Sequence, residues 1–419
     1  MSSVINNSNA NSAIVQTLDA SVSKRNPQIY STKEIYPAHS MTYVKNEKTN
    51  GSVTSGNSIN FNLNKYGIAS QILLHLEKDC TLDADKSTDV AFKLLEGDIF
   101  TIIKSVELLS SSRVISTLTS NDLLAQFSDM SQDEYNVVFQ KAINVGTTAV
   151  AGRTKPFVFV LPLVFGLFKD INTQPNLSFV EPMSLRVNFN NVDAYSAKTA
   201  ATSVSLVDLN CYLQVRYKAY PEASVAEVID QNYSEPELNQ LSKRFYDENT
   251  IVKTSAIAAG ITIGTADIDL KNTDAVTDFY VMVRRQPAGG APPGDVENAP
   301  FKITSVKFTG SGQDILNLTQ DELAYSRLTD NGNAVFPLDV KSSSFGITDV
   351  VKIQTGLWNK YAMSNCFSLR EINAPRISIT FEIPIHAAEL TYEVVVVEDC
   401  LAIYSTSSAT GRQVLSLTN

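Results

Sequence analysis

Histidine, cysteine and tryptophan are scarce: the 419 residues contain three His, four Cys and one Trp. His39, His75 and His386 are far apart and form no HExxH or other ligand spacing. Cys80, Cys211, Cys366 and Cys400 are equally dispersed, with no CxxC, so neither a zinc site nor a disulfide framework is signalled; buried thiols are expected. Basic charge is also short, with 34 Lys+Arg against 44 Asp+Glu and a net charge of −10. Phosphate neutralisation needs clustered cations, so direct or sequence-specific nucleic-acid binding is not expected. Long apolar runs are missing too. The richest, Phe157 to Phe168, is about 12 residues long and is broken by Pro162, too short for a membrane-spanning helix of about 20. The first residues, MSSVINNSNANSAIV, lack the basic and apolar regions of a signal peptide, so no secretory route is expected, and NxS/T triplets such as those at Asn6, Asn176, Asn232 and Asn317 read as chance.

No motif of nucleophilic or phosphate chemistry takes up the vacancy. GxSxG, GxxxxGK[ST] and a GxGxxG opening a helix are all absent, and the GSG at 310–312 reads as a hairpin turn. The acidic loop Asp79, Asp83, Asp85 and Asp89 has oxygen ligands at calcium-like intervals but lacks the EF-hand glycine and closing Glu; a solvated loop is the simpler reading. Glu382 and Glu389 could be paired as glycosidase carboxylates only by their separation in space, which spacing in sequence does not give. Hence no catalytic, cofactor-binding or metal-binding residue is assigned, and no enzyme is expected.

What the chain does contain is period-two alternation. In SINFNLN (58–64), Ile59, Phe61 and Leu63 alternate with polar residues, which places one face of a strand on a core. Short β-branched or aromatic runs follow at 69–77, 100–109, 157–164, 183–189 and 206–217, and then at 259–270, 275–285, 301–308, 334–340, 376–383 and 392–404. Helix is expected within 122–142, where apolar residues recur every three or four. The Ser/Asn/Thr-rich stretch 1–40 reads as an N-terminal arm, 221–247 as an inter-domain linker, and the Pro/Gly-rich 287–300 as an exposed loop.

The chain also repeats itself. IKSVELLSSSRVISTLTSNDL (103–123) aligns without a gap on ITSVKFTGSGQDILNLTQDEL (303–323), with eight of twenty-one residues identical, where unrelated segments share about one or two. The flanks agree in order: Phe61 and Leu63 with Ile268 and Leu270, Ile72 and Leu74 with Phe279 and Val281, Val160–Leu163 with Val335–Leu338, and Pro182–Phe189 with Pro375–Phe381. Two copies of one all-β domain are expected, at 41–220 and 248–407, with a tail at 408–419. About eight strands per copy with long crossovers favour two tandem eight-stranded jelly rolls with short inserted helices. An immunoglobulin-like tandem is the alternative, but the lone Trp358 and the missing Cys…Trp…Cys pattern count against it.

The order of DIFTIIKSVELLSSSRVISTLTSNDLLAQF (98–127), FVFVLPLVFGLFKDINTQPNLSFVEPMSLRVNF (157–189), FSLREINAPRISITFEI (367–383) and the strand ending CLAIY (400–404) resembles the double jelly-roll major capsid proteins of icosahedral viruses. That group is shared by adenoviruses, tailless membrane-containing phages, virophages and large eukaryotic DNA viruses. The resemblance spans most of 57–404 as order and spacing. Leu161-Pro-Leu163 keeps the proline of an "IPLPF"-like strand without its following aromatic pair. It implies a virion protein assembled inside the host cell, with homotrimers presenting six similar lobes that tile a shell. The implied partners are neighbouring capsomers, vertex (penton) or minor capsid proteins and, where the virion has one, an internal membrane beneath. A tandem β-sandwich adhesin or carbohydrate-binding protein is the rival reading.

Overall fold

The computed structural model describes residues 40–51, 53, 56–81, 103–128, 154–169, 177, 180–190, 194–196, 203–205, 210–219, 241–270, 275–285, 301–323, 347–354, 367–369, 372–383, 389–407 and 414–418. The first half contributes β1 (Ser40–Glu47), β2 (Ser58–Asn62), β3 (Ile68–Thr81), β4 (Ile103–Ser110), β5 (Arg113–Thr119), α1 (Ser120–Ser128), β6 (Thr154–Pro162), α2 (Gly166–Lys169), β7 (Met183–Phe189), β8 (Ala194–Ser196), β9 (Ser203–Ser205) and β10 (Asn210–Ala219). The second half contributes β11 (Leu241–Ile257), β12 (Ile263–Asp269), β13 (Ala275–Arg285), β14 (Lys302–Gly310), β15 (Gln313–Thr319), β16 (Ile347–Gln354), β17 (Phe367–Ser368), β18 (Arg376–Glu382), β19 (Leu390–Ser407) and β20 (Val414–Thr418).

Two main antiparallel sheets form each half, with β8 and β9 pairing separately in the first and β17 and β20 added to β13 and β19 in the second. In the first, the orders are β1-β10-β3-β6 and β2-β7-β4-β5; in the second, they are β11-β19-β13-β16 and β12-β18-β14-β15. Successive strands mostly cross from one sheet to the other, and both halves do so in the same order. This is the eight-stranded jelly roll, present twice. The alternation that signals these strands fills the space between the sheets. Ile59 and Phe61 of β2 and Leu185 and Val187 of β7 are fully buried, while their strand neighbours are not.

The sequence repeat is a repeat of register. β4 and β5 pair Val106 with Leu118 and Leu108 with Ser116, with a bulge between Leu108 and Leu109; β14 and β15 pair Val306 with Leu318 and Phe308 with Leu316, with the bulge between Phe308 and Thr309. Ser111 and Ser311 take positive φ at the two turns (55° and 52°), and Gly312 continues the second with φ 76°. Each serine donates its backbone N–H across to the next strand's approach, Ser111 to the Pro182 carbonyl and Ser311 to that of Asn373. Phe61 and Ile268 also correspond, lying opposite Leu185 and Ile377.

Several expectations shift. The strand beside β13, in the place that β6 holds beside β3, is β16, so the counterpart of Leu161 is Val351. Val335–Leu338 lie outside the described residues, as do residues 129–142 of the expected helix. β11 begins at Leu241, inside the stretch read as linker, because seventeen residues pair continuously with β19. Its charged composition suits a sheet edge, where only one side of the strand is hydrogen-bonded by a neighbour in the order above. β20 falls in the stretch read as tail and extends β19 as a hairpin.

Candidate functional site

The most distinctive structure outside the two sandwich interiors is the seam where the rolls meet. Strands β13 and β19 are buried on both faces. Phe279, Val281, Val394 and Val396 enter the core of the second roll, whereas Tyr280, Met282, Val395 and Val397 join the core of the first, together with Val350. From the first roll, α1 lies against β11 and β19, α2 against β11, and β5 against β11 and β20. The signal for this was the run Val394–Val397, apolar without alternation, as expected of a strand covered on both sides. In the sequence alone the run is one more strand, with nothing to mark the surface that covers its second face.

A buried carboxylate closes the seam. Asp122, 1% exposed, accepts through Oδ2 from the Thr119 backbone N–H (2.6 Å) and hydroxyl (2.7 Å), capping α1, and through Oδ1 from the Thr250 hydroxyl of β11. Gln126 holds the same helix to the Val164 carbonyl at 2.6 Å. Burial pushes the Asp122 carboxyl above its ordinary value of 3.8, while the bonds from Thr250 and Thr119 oppose the rise. A group that binds its proton more tightly when folded contributes fully below its unfolded pKa, and that contribution is lost as pH climbs through the folded one. Urea midpoints are therefore expected to fall for the wild type relative to Asp122→Asn as pH rises from 4 through the raised pKa. A pH-independent difference between the two would show that the carboxyl titrates normally.

The outer face of the first roll's β1-β10-β3 sheet carries a second, more polar cluster. The His75 ring stacks on Tyr212 (centroids 4.5 Å, 12° apart), and its Nε2 is 3.1 Å from Gln214 Oε1. Tyr212 donates to Glu77 at 2.7 Å, and Lys45 Nζ sits 4.1 Å above the tyrosine ring while pairing with Glu47 at 2.7 Å. Burial lowers the His75 pKa and, with the bond to Glu77, pushes Tyr212 up to about 12. His75 is thus a partly buried, hydrogen-bonded histidine.

Among the described residues the remaining sequence candidates do not converge. Among the described residues, no group of three or more His, Cys, Asp or Glu is placed to hold a metal ion. Asp79 lies at the end of β3, while Asp83, Asp85, Asp89, His39 and His386 lie outside the described residues. Glu382 and Glu389 are both exposed, the first opposite Lys302 and Ile263. Cys211 and Cys400 are buried thiols outside any disulfide, Cys400 Sγ donating to the Glu398 carbonyl at 3.7 Å, and burial pushes the Cys211 pKa upward. Among the described residues no helix is long and apolar enough to cross a membrane.

No protein-family model and no curated protein matches the chain. Solved structures do. The capsid protein in the quasi-atomic model of the PBCV-1 virus capsid superposes with a TM-score of 0.61 at 13% identity, over 93% of this chain and 99% of that one. The chain carries the double jelly-roll fold. The Faustovirus major capsid protein shares it (TM-score 0.59, 10% identity, 89% and 91% of the two chains), as does the mavirus major capsid protein (0.56, 12%, 93% of each). Near-complete coverage on both sides means that the similarity takes in both rolls and not one alone.

Proposed function

We propose that this protein is a major capsid protein whose homotrimers form six-lobed capsomers tiling an icosahedral shell, a structural rather than catalytic role. The observation that carries the reading is the pair of rolls of identical strand order joined by an apolar seam. A tile must present equivalent lobes in fixed relation, and Met282, Val395 and Val397, buried between the rolls, hold them so. Three such chains provide six similar lobes, so a hexagonal outline needs only a closed threefold ring. The similar structures are themselves virus capsid proteins, which supports the same reading.

On this reading 1–40 is an arm, 41–220 and 248–407 are the lobes, the second extended backwards by β11 to Leu241 so that 221–240 is left as the link, and no catalytic, cofactor or metal residue is required. Its partners are further copies of the chain, vertex or minor capsid proteins and, where the virion has one, an underlying membrane. Light scattering on the purified protein is expected to give three times 45.8 kDa, with hexagonal particles or closed shells by negative stain. A monomer at every salt and pH tested, stabilised by glycans, would overturn the reading in favour of a carbohydrate-binding protein.

A further inference from the structure

The two rolls present matching surfaces, but each surface is covered in only one of them. In the first roll, Ile115 of β5 is 4% exposed and Asn121 and Asp122 of α1 are buried, with β5 and α1 lying against the second roll. At the repeated positions of the second roll, Ile315 is 44% exposed and Asp321 and Glu322 are both exposed. Conversely, the face of β13 and β19 that receives the first roll is covered, while its counterpart on β3 and β10 is the half-buried cluster of His75, Tyr212 and Gln214. The contact inside the chain is head-to-tail, and both its unused halves are open.

Register identifies which residues would meet. Ile72 pairs with Val215 as Phe279 pairs with Glu398, so Gln214 corresponds to Val397. Lys45 lies opposite Gln214 and Thr250 opposite Val397, so Lys45 is the counterpart of Thr250. Glu322 is the counterpart of Asp122 and repeats its cap: Oε2 accepts from the Thr319 N–H (2.8 Å) and hydroxyl (2.9 Å), as Asp122 Oδ2 does from Thr119. Its Oε1 is then the counterpart of the Oδ1 that receives Thr250. Where the internal seam joins a carboxylate to a hydroxyl, the open halves carry a carboxylate and an ammonium.

We propose that a second copy of this chain docks its β15 surface and the helical turn at 320–323 on the β1-β10-β3 face, with Glu322 of one copy meeting Lys45 of the next. The proposal rests on the capsomer reading and assigns its chain-to-chain seam. This seam is a polar version of the internal one: His75 and Tyr212 stand where Met282 and Val395 stand inside the chain. A surface exposed until assembly must stay soluble alone, and a charge-assisted contact between partly hydrated faces forms and dissociates more readily than an apolar core.

The test uses the full chain and sedimentation velocity at low and high salt, with thermal unfolding as the control for folding. Lys45→Glu and Glu322→Lys are each expected to convert trimers to monomers, and the double variant to restore trimers. Wild-type trimers are expected to dissociate at higher dilution in low salt than in 1 M salt, because screening weakens the pair. Both side chains are exposed, so the monomeric unit should melt near its wild-type temperature with Lys45→Glu and slightly below it with Glu322→Lys, which gives up the cap on Thr319. A wild type that is monomeric throughout overturns the capsomer reading and this seam with it. Wild-type trimers that survive either single change, or single-variant monomers that the double change fails to restore, overturn the Lys45–Glu322 seam and leave the capsomer reading standing.

Discussion

Phe381→Ala is expected to destabilise the protein by about 3–5 kcal/mol, the usual range for emptying a fully buried aromatic site. Phe381 of β18 is 0% exposed, and its ring meets Phe301 edge-on at 5.8 Å and Tyr392 at 5.2 Å. Gly264 of β12 exists to admit it: a Cβ there would lie 2.4 Å from ring carbons Cε2 and Cζ. The strand closing this end of the second sandwich has therefore given up a side chain to the ring, and no neighbour can move in to refill the cavity cheaply. Urea unfolding followed by fluorescence and circular dichroism measures the loss. A change below about 1 kcal/mol would mean that the sandwich end collapses around the vacancy.

Met282→Asp addresses the seam and is expected to cost on the order of 4 kcal/mol or more, since it places a carboxylate among apolar groups with no designed partner. Met282 is 0% exposed and belongs to the first roll's core although β13 belongs to the second roll. Its neighbours on the strand, Val281 and Val283, face the other way into the second sandwich, so the charge should loosen the seam before either sandwich. Limited proteolysis is expected to release fragments of roll size under conditions where the wild type stays whole. If the variant instead melts as one unit with the wild-type midpoint, the rolls are not held by this face, and the fixed-lobe argument for a capsid tile loses its support.

Much of the fold was legible in the sequence because each sandwich strand buries one face against its own roll. Alternation in Ile59-Asn60-Phe61 or in Ile377-Ser378-Ile379 records that burial directly. β11 is not legible in the sequence because LSKRFYDENT has the composition of a loop while its backbone pairs fully with β19. β16 escaped because Val335–Leu338 offered a more apolar match to Val160–Leu163 than the true partner of β13 does. The helix expected at 122–142 is described over Ser120–Ser128, where Asp122 caps it and Leu123 and Ala125 are buried.

By itself the sequence determined that the chain is all-β, that it is duplicated, and that the two turns at Ser111 and Ser311 are the same turn, because strand alternation and turn chemistry are settled by neighbours along the chain or one hairpin away. Only the tertiary structure decided which faces of the duplicated units would be used. Ile115 and Ile315, Asp122 and Glu322, Thr250 and Lys45 occupy matching positions, yet one member of each pair is covered or bonded across the seam and the other faces outward. That difference depends on a roll packing against residues more than a hundred positions away, and no local pattern of side chains carries it.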